Sequence, residues 1–139
     1  MRVIIDTNIV LDVLLAREPF FRASANIFSL VERSEIEALL CATTITTVDY
    51  LLTQSLSPTE SNHALHSLLD LFEIAPVNRP VLEEALKSGI TDFEDAVMEQ
   101  SGRLAGAEAI VTRNTKDFRK SRIKVLDSAE LLAFLGNHH

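Results

Sequence analysis

Short apolar runs that do not alternate constrain this chain most. "RVII" at residues 2–5, "EALLCATT", "FEIAPV", "EAIVTRN" and "IKVL" carry aliphatic residues in succession rather than at every second position. Such a strand is apolar on both faces of its pleat, so both faces must be covered, which is the condition of a parallel sheet between helices. The intervening segments have helical spacing. "TNIVLDVLLA" is closed by Arg17-Glu18-Pro19, and "FRASANIFSLVERSE" places Phe21, Ala25, Phe28 and Val31 on one face. "TVDYLLTQSL" follows, then "PTESNHALHSLLDLF" with Pro58 at its first position, and "RPVLEEALKSG" stopped by Gly89. "TDFEDAVMEQSGRLAG" stops at Gly106, and "DSAELLAFLG" opens on Asp127 as N-cap. Strand and helix alternate throughout, which predicts an α/β fold: a three-layer α/β/α arrangement around a central, mostly parallel sheet of four to five short strands, with "IKVL" at an edge. No repeat, linker or low-complexity tract divides residues 1–139, so one domain is expected.

Composition narrows the functional classes. No apolar run approaches the roughly 18 residues of a membrane span, and "MRVIID" has no signal-peptide core, so a cytoplasmic protein is expected. The single Cys41 cannot form an internal disulfide and reads as inert core. A formal charge of −7 disfavours polyanions as partners, but the charge is unevenly placed. Residues 113–124 hold Arg113, Lys116, Arg119, Lys120, Arg122 and Lys124 against one acid, Asp117. A solvated, charge-protected edge strand and a phosphate-binding surface both account for that run.

The acids carry the chemistry. In parallel sheets, sites gather beyond the carboxyl ends of the strands. Asp6, Thr43-Thr44 and Arg113-Asn114 all lie there. Asp6 suits an N-cap as well as a site, and Asn8 suits the same turn or a donor to the carboxylate. Asp49 lies beside the apolar face of its helix, about a turn in. Thr91 with Glu94 fits a capping box, and Asp92 and Glu94 complement the helix dipole. Asp95, followed by Ala96, Val97 and Met98, faces inward. Asn114 and Asp117 suit a turn opening a short helix, with Phe118 as anchor. Taken together, four strand–helix junctions present a carboxylate or amide toward one sheet edge. Two carboxylates about 5 Å apart repel by roughly 3 kcal/mol at an effective dielectric near 20. Such a cluster is tolerable when protonated or bound to cations. Oxygen donors without Cys or paired His select Mg²⁺ or Mn²⁺ over zinc.

Other motifs give no competing site. His63 and His66 stand at i, i+3 without an accompanying acid or thiol and read as surface residues, and His138 and His139 read as an appended terminal pair. Phosphate-loop, dinucleotide and HExxH signatures do not occur. A receiver-like phosphoacceptor domain would place adjacent acids after the first strand and a lysine after a late one. Here Thr7 follows Asp6 and the late strand delivers Arg113.

"RVIIDTNIVLD", "TTITTVDYL", "DFEDAVMEQSGRLAGAEAIVTRNTKDF" and "IKVLDSAELLAFL" together resemble, in order and over almost the whole chain, the PIN domain, including the VapC-like toxin ribonucleases. The resemblance implies a metal-dependent endoribonuclease, the toxin of a toxin–antitoxin pair, using Mg²⁺ or Mn²⁺. It also implies a small antitoxin partner and a homodimer. Asp6 matches the family's first acid and Asp95 its third. Asp49 falls where the family usually has Glu, a departure shorter by one methylene. Asn114 matches the fourth position, and Asp117 is a second acid of that segment. On this reading Asp6, Asp49, Asp95 and Asp117 are catalytic, and these four with Asn114 hold metal. Asn8, Thr44, Asp92 and Thr112 orient the ligands, while Arg113, Lys116, Arg119 and Lys120 contact RNA phosphates. The rival reading is a PIN-fold RNA- or partner-binding regulatory module with little or no turnover.

Overall fold

The computed structural model describes residues 1–137, so the reading of His138 and His139 lies outside the described residues. The chain runs β1 (Arg2–Ile5), α1 (Thr7–Leu14), α2 (Phe21–Glu32), β2 (Glu37–Cys41), α3 (Ala42–Leu52) and α4 (Pro58–Leu71). It continues through β3 (Glu73–Ala75), α5 (Arg79–Lys87), α6 (Phe93–Leu104) and β4 (Ala109–Val111). A 3₁₀ turn (Thr115–Phe118), β5 (Lys124–Leu126) and α7 (Ser128–Asn137) complete it. The five strands form one sheet in the order β3-β2-β1-β4-β5, and every pairing is parallel.

The unbroken apolar runs are explained by cover on both faces. Val3, Ile5, Ala38, Leu40, Ala109 and Val111 pack on one side with Ile27 and Val31 of α2, Val48 and Leu52 of α3, and Leu131 of α7. The intervening residues Ile4, Leu39, Cys41 and Ile110 pack on the other with Val81 and Ala85 of α5, Ala96 and Val97 of α6, and Phe118. Cys41 is thus core, as its surroundings in the sequence indicate.

Chain direction across the sheet reverses at β1, since β2 and β3 build outward on one side and β4 and β5 on the other. The crevice beyond such a reversal is where α/β sheets bind ligands. It lies here between the ends of β1 and β4, paired Ile5 to Val111. α6 is drawn down on this crevice by Gly102. A Cβ at that position would stand 2.7 Å from Cγ2 of Ile4, so only glycine lets the helix approach β1 so closely.

Local boundaries differ from expectation in three places. The strand expected over "EALLCATT" ends at Cys41, and Thr43 and Thr44 enter the first turn of α3. Their hydroxyls are used locally there, by Cys41 Sγ at 3.2 Å and Thr7 Oγ1 at 2.8 Å, which favours the turn over further sheet pairing. The N-cap of α6 is Asp92, which accepts from the Asp95 N–H at 3.0 Å, so the Thr91–Glu94 capping box is not formed. On α2 the buried face includes Ser24 and Ile27 rather than Phe21 and Ala25, because Ser24 Oγ donates to the buried Asp12 carboxylate at 3.3 Å. Capping boxes at Ser57–Glu60 and Asp127–Glu130 open α4 and α7. Among the described residues no helix is long and apolar enough to cross a membrane.

Candidate metal centre and nucleic-acid interface

β1 does not stop at Ile5 in its hydrogen bonding. The Asp6 N–H donates to Val111 O at 2.9 Å, so the backbone of Asp6 is fixed by β4 while its side chain points past the sheet edge. The carboxylate is 6% exposed and accepts from Thr112 Oγ1 at 2.6 Å. Thr112 Oγ1 itself accepts from the Asn114 N–H at 3.0 Å. Its own proton is therefore directed at Asp6, and the Asn114 backbone, the Thr112 hydroxyl and Asp6 form a chain ending on a carboxylate oxygen. Burial raises the Asp6 pKa; the Thr112 and Thr7 donors and the Arg113 charge pull it back, and Asp117 pushes it up again.

Across the crevice, Asp95 occupies the first turn of α6. Its pKa is raised from 3.8 to about 7, by burial first and then by Asp92, Asp6, Asp117 and Glu94. Asp6 and Asp95 line one cleft of about 200 Å³ together with Asn8, Thr44, Asp92 and Glu94. The cleft receives the first turns of α1 (Thr7, Asn8), α3 (Thr43, Thr44) and α6 (Glu94, Asp95). Three helix N-termini therefore meet where the acids gather, and their positive ends partly offset the crowded charge. Two bonds brace this rim: Thr7 Oγ1 to Thr44 Oγ1 at 2.8 Å, and Thr47 Oγ1 to Glu94 Oε1 at 3.1 Å.

Of the sequence candidates, Asp6, Asn8, Thr44, Asp92 and Asp95 line this cleft, and Thr112 supports it through Asp6. Asp117 stands in an adjoining groove with Thr91, Asp92, Asp95, Lys116 and Arg119. Asp49 is elsewhere. The cleft side of α3 is Thr43, Thr44, Thr47 and Leu51. Asp49 is two residues past Thr47, about 200° around a 3.6-residue helix. It accepts from Ser61 Oγ at 2.9 Å and ties α3 to α4. The acid braced by α3 at the cleft is instead Glu94, whose place in the first turn of α6 also suits the helix dipole. Its signal was the density of "DFED", three acids within one turn. Asn114 acts through its backbone, since its carbonyl also accepts the Asp117 N–H at 3.0 Å.

Arg113 departs from its expected role as a phosphate contact. Its Nε and Nη2 reach Asp12 Oδ2 and Oδ1 at 3.0 and 3.3 Å, and its guanidinium lies 4.0 Å from the Phe20 ring centroid. Asp12 is fully buried and also accepts from Arg17 Nε at 3.0 Å and Ser24 Oγ at 3.3 Å. The fork of Arg113 neutralises a buried carboxylate and joins β4 to α1 and α2.

The donors around the cleft suit a hard cation. Among the described residues no group of three or more His, Cys, Asp or Glu side chains stands close enough together to hold a metal ion as the side chains are placed. The open set is oxygen-only: Asp6, Asp95, Asp92, Glu94 and, from the adjoining groove, Asp117. Mg²⁺ keeps several waters and is held through one or two carboxylates, so such a set fits hydrated Mg²⁺ or Mn²⁺ and not a tetrahedral zinc site.

Comparison with known proteins agrees with this architecture. The sequence model of the PIN domain matches residues 2–116. No curated protein sequence matches the chain. Among solved structures, VapBC2 from Rickettsia felis, bound to a DNA fragment from its promoter, superposes with a TM-score of 0.71 at 15% identity, covering 91% of this chain and 98% of that one. A toxin–antitoxin complex from Klebsiella pneumoniae gives 0.69 at 21% identity, covering 91% and 97%. The sarcin-ricin loop cleaving toxin VapC20 of Mycobacterium tuberculosis gives 0.63 at 14%, covering 78% and 86%.

Proposed function

The chain belongs to the PIN-domain family, and from that premise we propose that it is a divalent-metal-dependent endoribonuclease, the toxin component of a toxin–antitoxin pair. The observation that carries the reading is that Asp6 and Asp95 line one cleft, where burial and then the neighbouring carboxylates raise the Asp95 pKa to about 7. Carboxylates so placed are relieved by a cation. Asp6 and Asp95 would hold Mg²⁺ or Mn²⁺, with Asp92, Glu94 and Asp117 near enough to add charge. When bound, such an ion acidifies water and stabilises charge on phosphodiester oxygens.

The chain's own residues do the rest. Thr112 donates to Asp6 Oδ2 at 2.6 Å and so fixes the orientation of the carboxylate at the cleft. The Asn8 amide and the Thr43 and Thr44 hydroxyls supply neutral groups on the side opposite α6, where a ribose or a water is oriented. The three helix N-termini favour an anionic phosphate between them. Lys116, Arg119 and Lys120 contribute phosphate contacts, which position RNA without reading its sequence.

The test is cleavage of defined single-stranded RNAs with Mg²⁺ or Mn²⁺. Activity should vanish in EDTA and in Asp6→Asn and Asp95→Asn; cleavage surviving both substitutions would overturn the reading. The solved toxin–antitoxin complexes of the same fold support a small antitoxin as partner; we place the protein in the cytoplasm and as a homodimer on the same reading. A regulatory module with little turnover is the second reading. It is favoured by the position of Asp49 outside the cleft, which leaves a threonine on that face of α3. Tight Mn²⁺ binding by calorimetry with no cleavage would select it.

A further inference from the structure

The six cations of residues 113–124 fall into two sets. Arg113 is held by Asp12, Arg122 pairs with Glu84 at 3.6 Å, and Lys124 lies 4.5 Å from the Phe134 ring centroid. Among the described residues, Lys116, Arg119 and Lys120 form no ion pair within 4.0 Å, and all three are exposed. The free set is also the one that converges. Lys116 on the 3₁₀ turn and Arg119, the residue that caps its end, are three residues apart, a spacing at which side chains project together. Buried Phe118 pins the turn beneath them.

These cations line a groove of about 350 Å³ that shares Asp92 and Asp95 with the acidic cleft. It continues past Gly89 and Ile90 to Lys120. Gly89 makes room for that continuation: a Cβ there would stand 2.8 Å from Cδ of Lys120, whose stem lies across the glycine. On the opposite side of the cleft, Thr7, Asn8, Thr43, Thr44 and Thr47 supply no cation. The groove lining holds no aromatic side chain on which a base would stack.

We propose that this groove holds the backbone phosphates on one flank only of a single RNA strand whose scissile bond lies in the cleft, so that the strand is accepted with a fixed polarity. The proposal rests on the ribonuclease reading for the place of the scissile bond, and on the groove itself for the phosphate contacts. One strand is the occupant because the free cations line a single groove rather than two parallel ridges. Contact to backbone without base stacking makes this flank tolerant of sequence.

Two measurements test it. First, binding of a short single-stranded RNA is followed by fluorescence anisotropy in EDTA across a salt series. Lys116→Ala/Arg119→Ala/Lys120→Ala should weaken binding tenfold or more and flatten the log–log salt slope by about 2, at roughly 0.7 per phosphate contact. Arg79→Ala, an exposed charge on α5, should leave the slope unchanged. An unchanged slope in the triple variant, with an unchanged melting temperature, overturns the proposal. Second, RNAs with methylphosphonate linkages on one or the other side of the cut are compared. Neutralisation should slow cleavage tenfold or more on one flank and not on the other, and equal effects overturn fixed polarity. A wild-type protein that cuts nothing sinks the ribonuclease reading, while the salt slopes still report on the groove.

Discussion

Replacing Asp95 by asparagine should stabilise the metal-free protein at alkaline pH while removing its function. In the folded state the Asp95 carboxyl stays protonated up to about pH 7, against an ordinary value of 3.8. Between those pH values the folded chain holds a proton that the unfolded chain has released, so metal-free stability falls as pH rises from about 4 to 7 and then levels. The interval amounts to roughly 4 kcal/mol at 1.36 kcal/mol per pH unit. Asp95 is partly exposed, and solvent screening reduces this to about 1–2 kcal/mol. Asparagine removes the cost but also a negative charge in the first turn of α6, worth about 0.5 kcal/mol. The net gain, near 1 kcal/mol, corresponds to about 3–4 °C in melting temperature for a chain of this size. Thermal melts in EDTA at pH 8 should show that gain, and melts at pH 4.5 should show none. Mg²⁺ at about ten times its Kd should raise the wild type by about 1.4 kcal/mol and leave Asp95→Asn nearly unmoved. A variant less stable than wild type at pH 8, or one with an intact Mg²⁺ response, would refute the account of the cleft as repelling carboxylates awaiting a cation.

Arg113→Ala leaves the fully buried Asp12 with only Arg17 and Ser24; urea denaturation should show a loss of about 3 kcal/mol, and a loss below about 0.5 kcal/mol would return Arg113 to the phosphate-binding set. Gly102→Ala pushes a methyl against Ile4 and should cost about 1–3 kcal/mol by the same assay; an unchanged midpoint would mean that α6 is not seated on β1 through this glycine. Glu94→Gln should weaken Mn²⁺ binding by calorimetry about tenfold, whereas Asp49→Asn should change it less than twofold, and the reverse order would put Asp49 back at the cleft.

The uneven legibility of the site has a physical pattern. Asp6 was visible because a strand end determines where the next side chain goes, and burial of "VII" on both faces leaves no freedom in that placement. Asp95 was visible because it precedes the buried residues of its own helix. Glu94 lines the cleft and Asp49 faces α4 instead, a placement the sequence does not show because helical period gives relative faces only. Which face of α3 meets the cleft depends on where the helix starts, and it starts at Ala42, before the expected "TVDYLLTQSL". Arg113 was indistinguishable from its basic neighbours because its partner lies 101 residues away.

What the sequence by itself determined is the layered fold and the gathering of acids at one sheet edge, both consequences of local pattern: unbroken apolar runs, helix punctuation, and carboxylates at strand ends. Tertiary structure alone decided which acid faces which, through the close seat of Gly102 on Ile4 and the reversal of strand order at β1. It alone decided which cations remain free, because pairing a buried carboxylate is a contact between distant segments that no local pattern encodes.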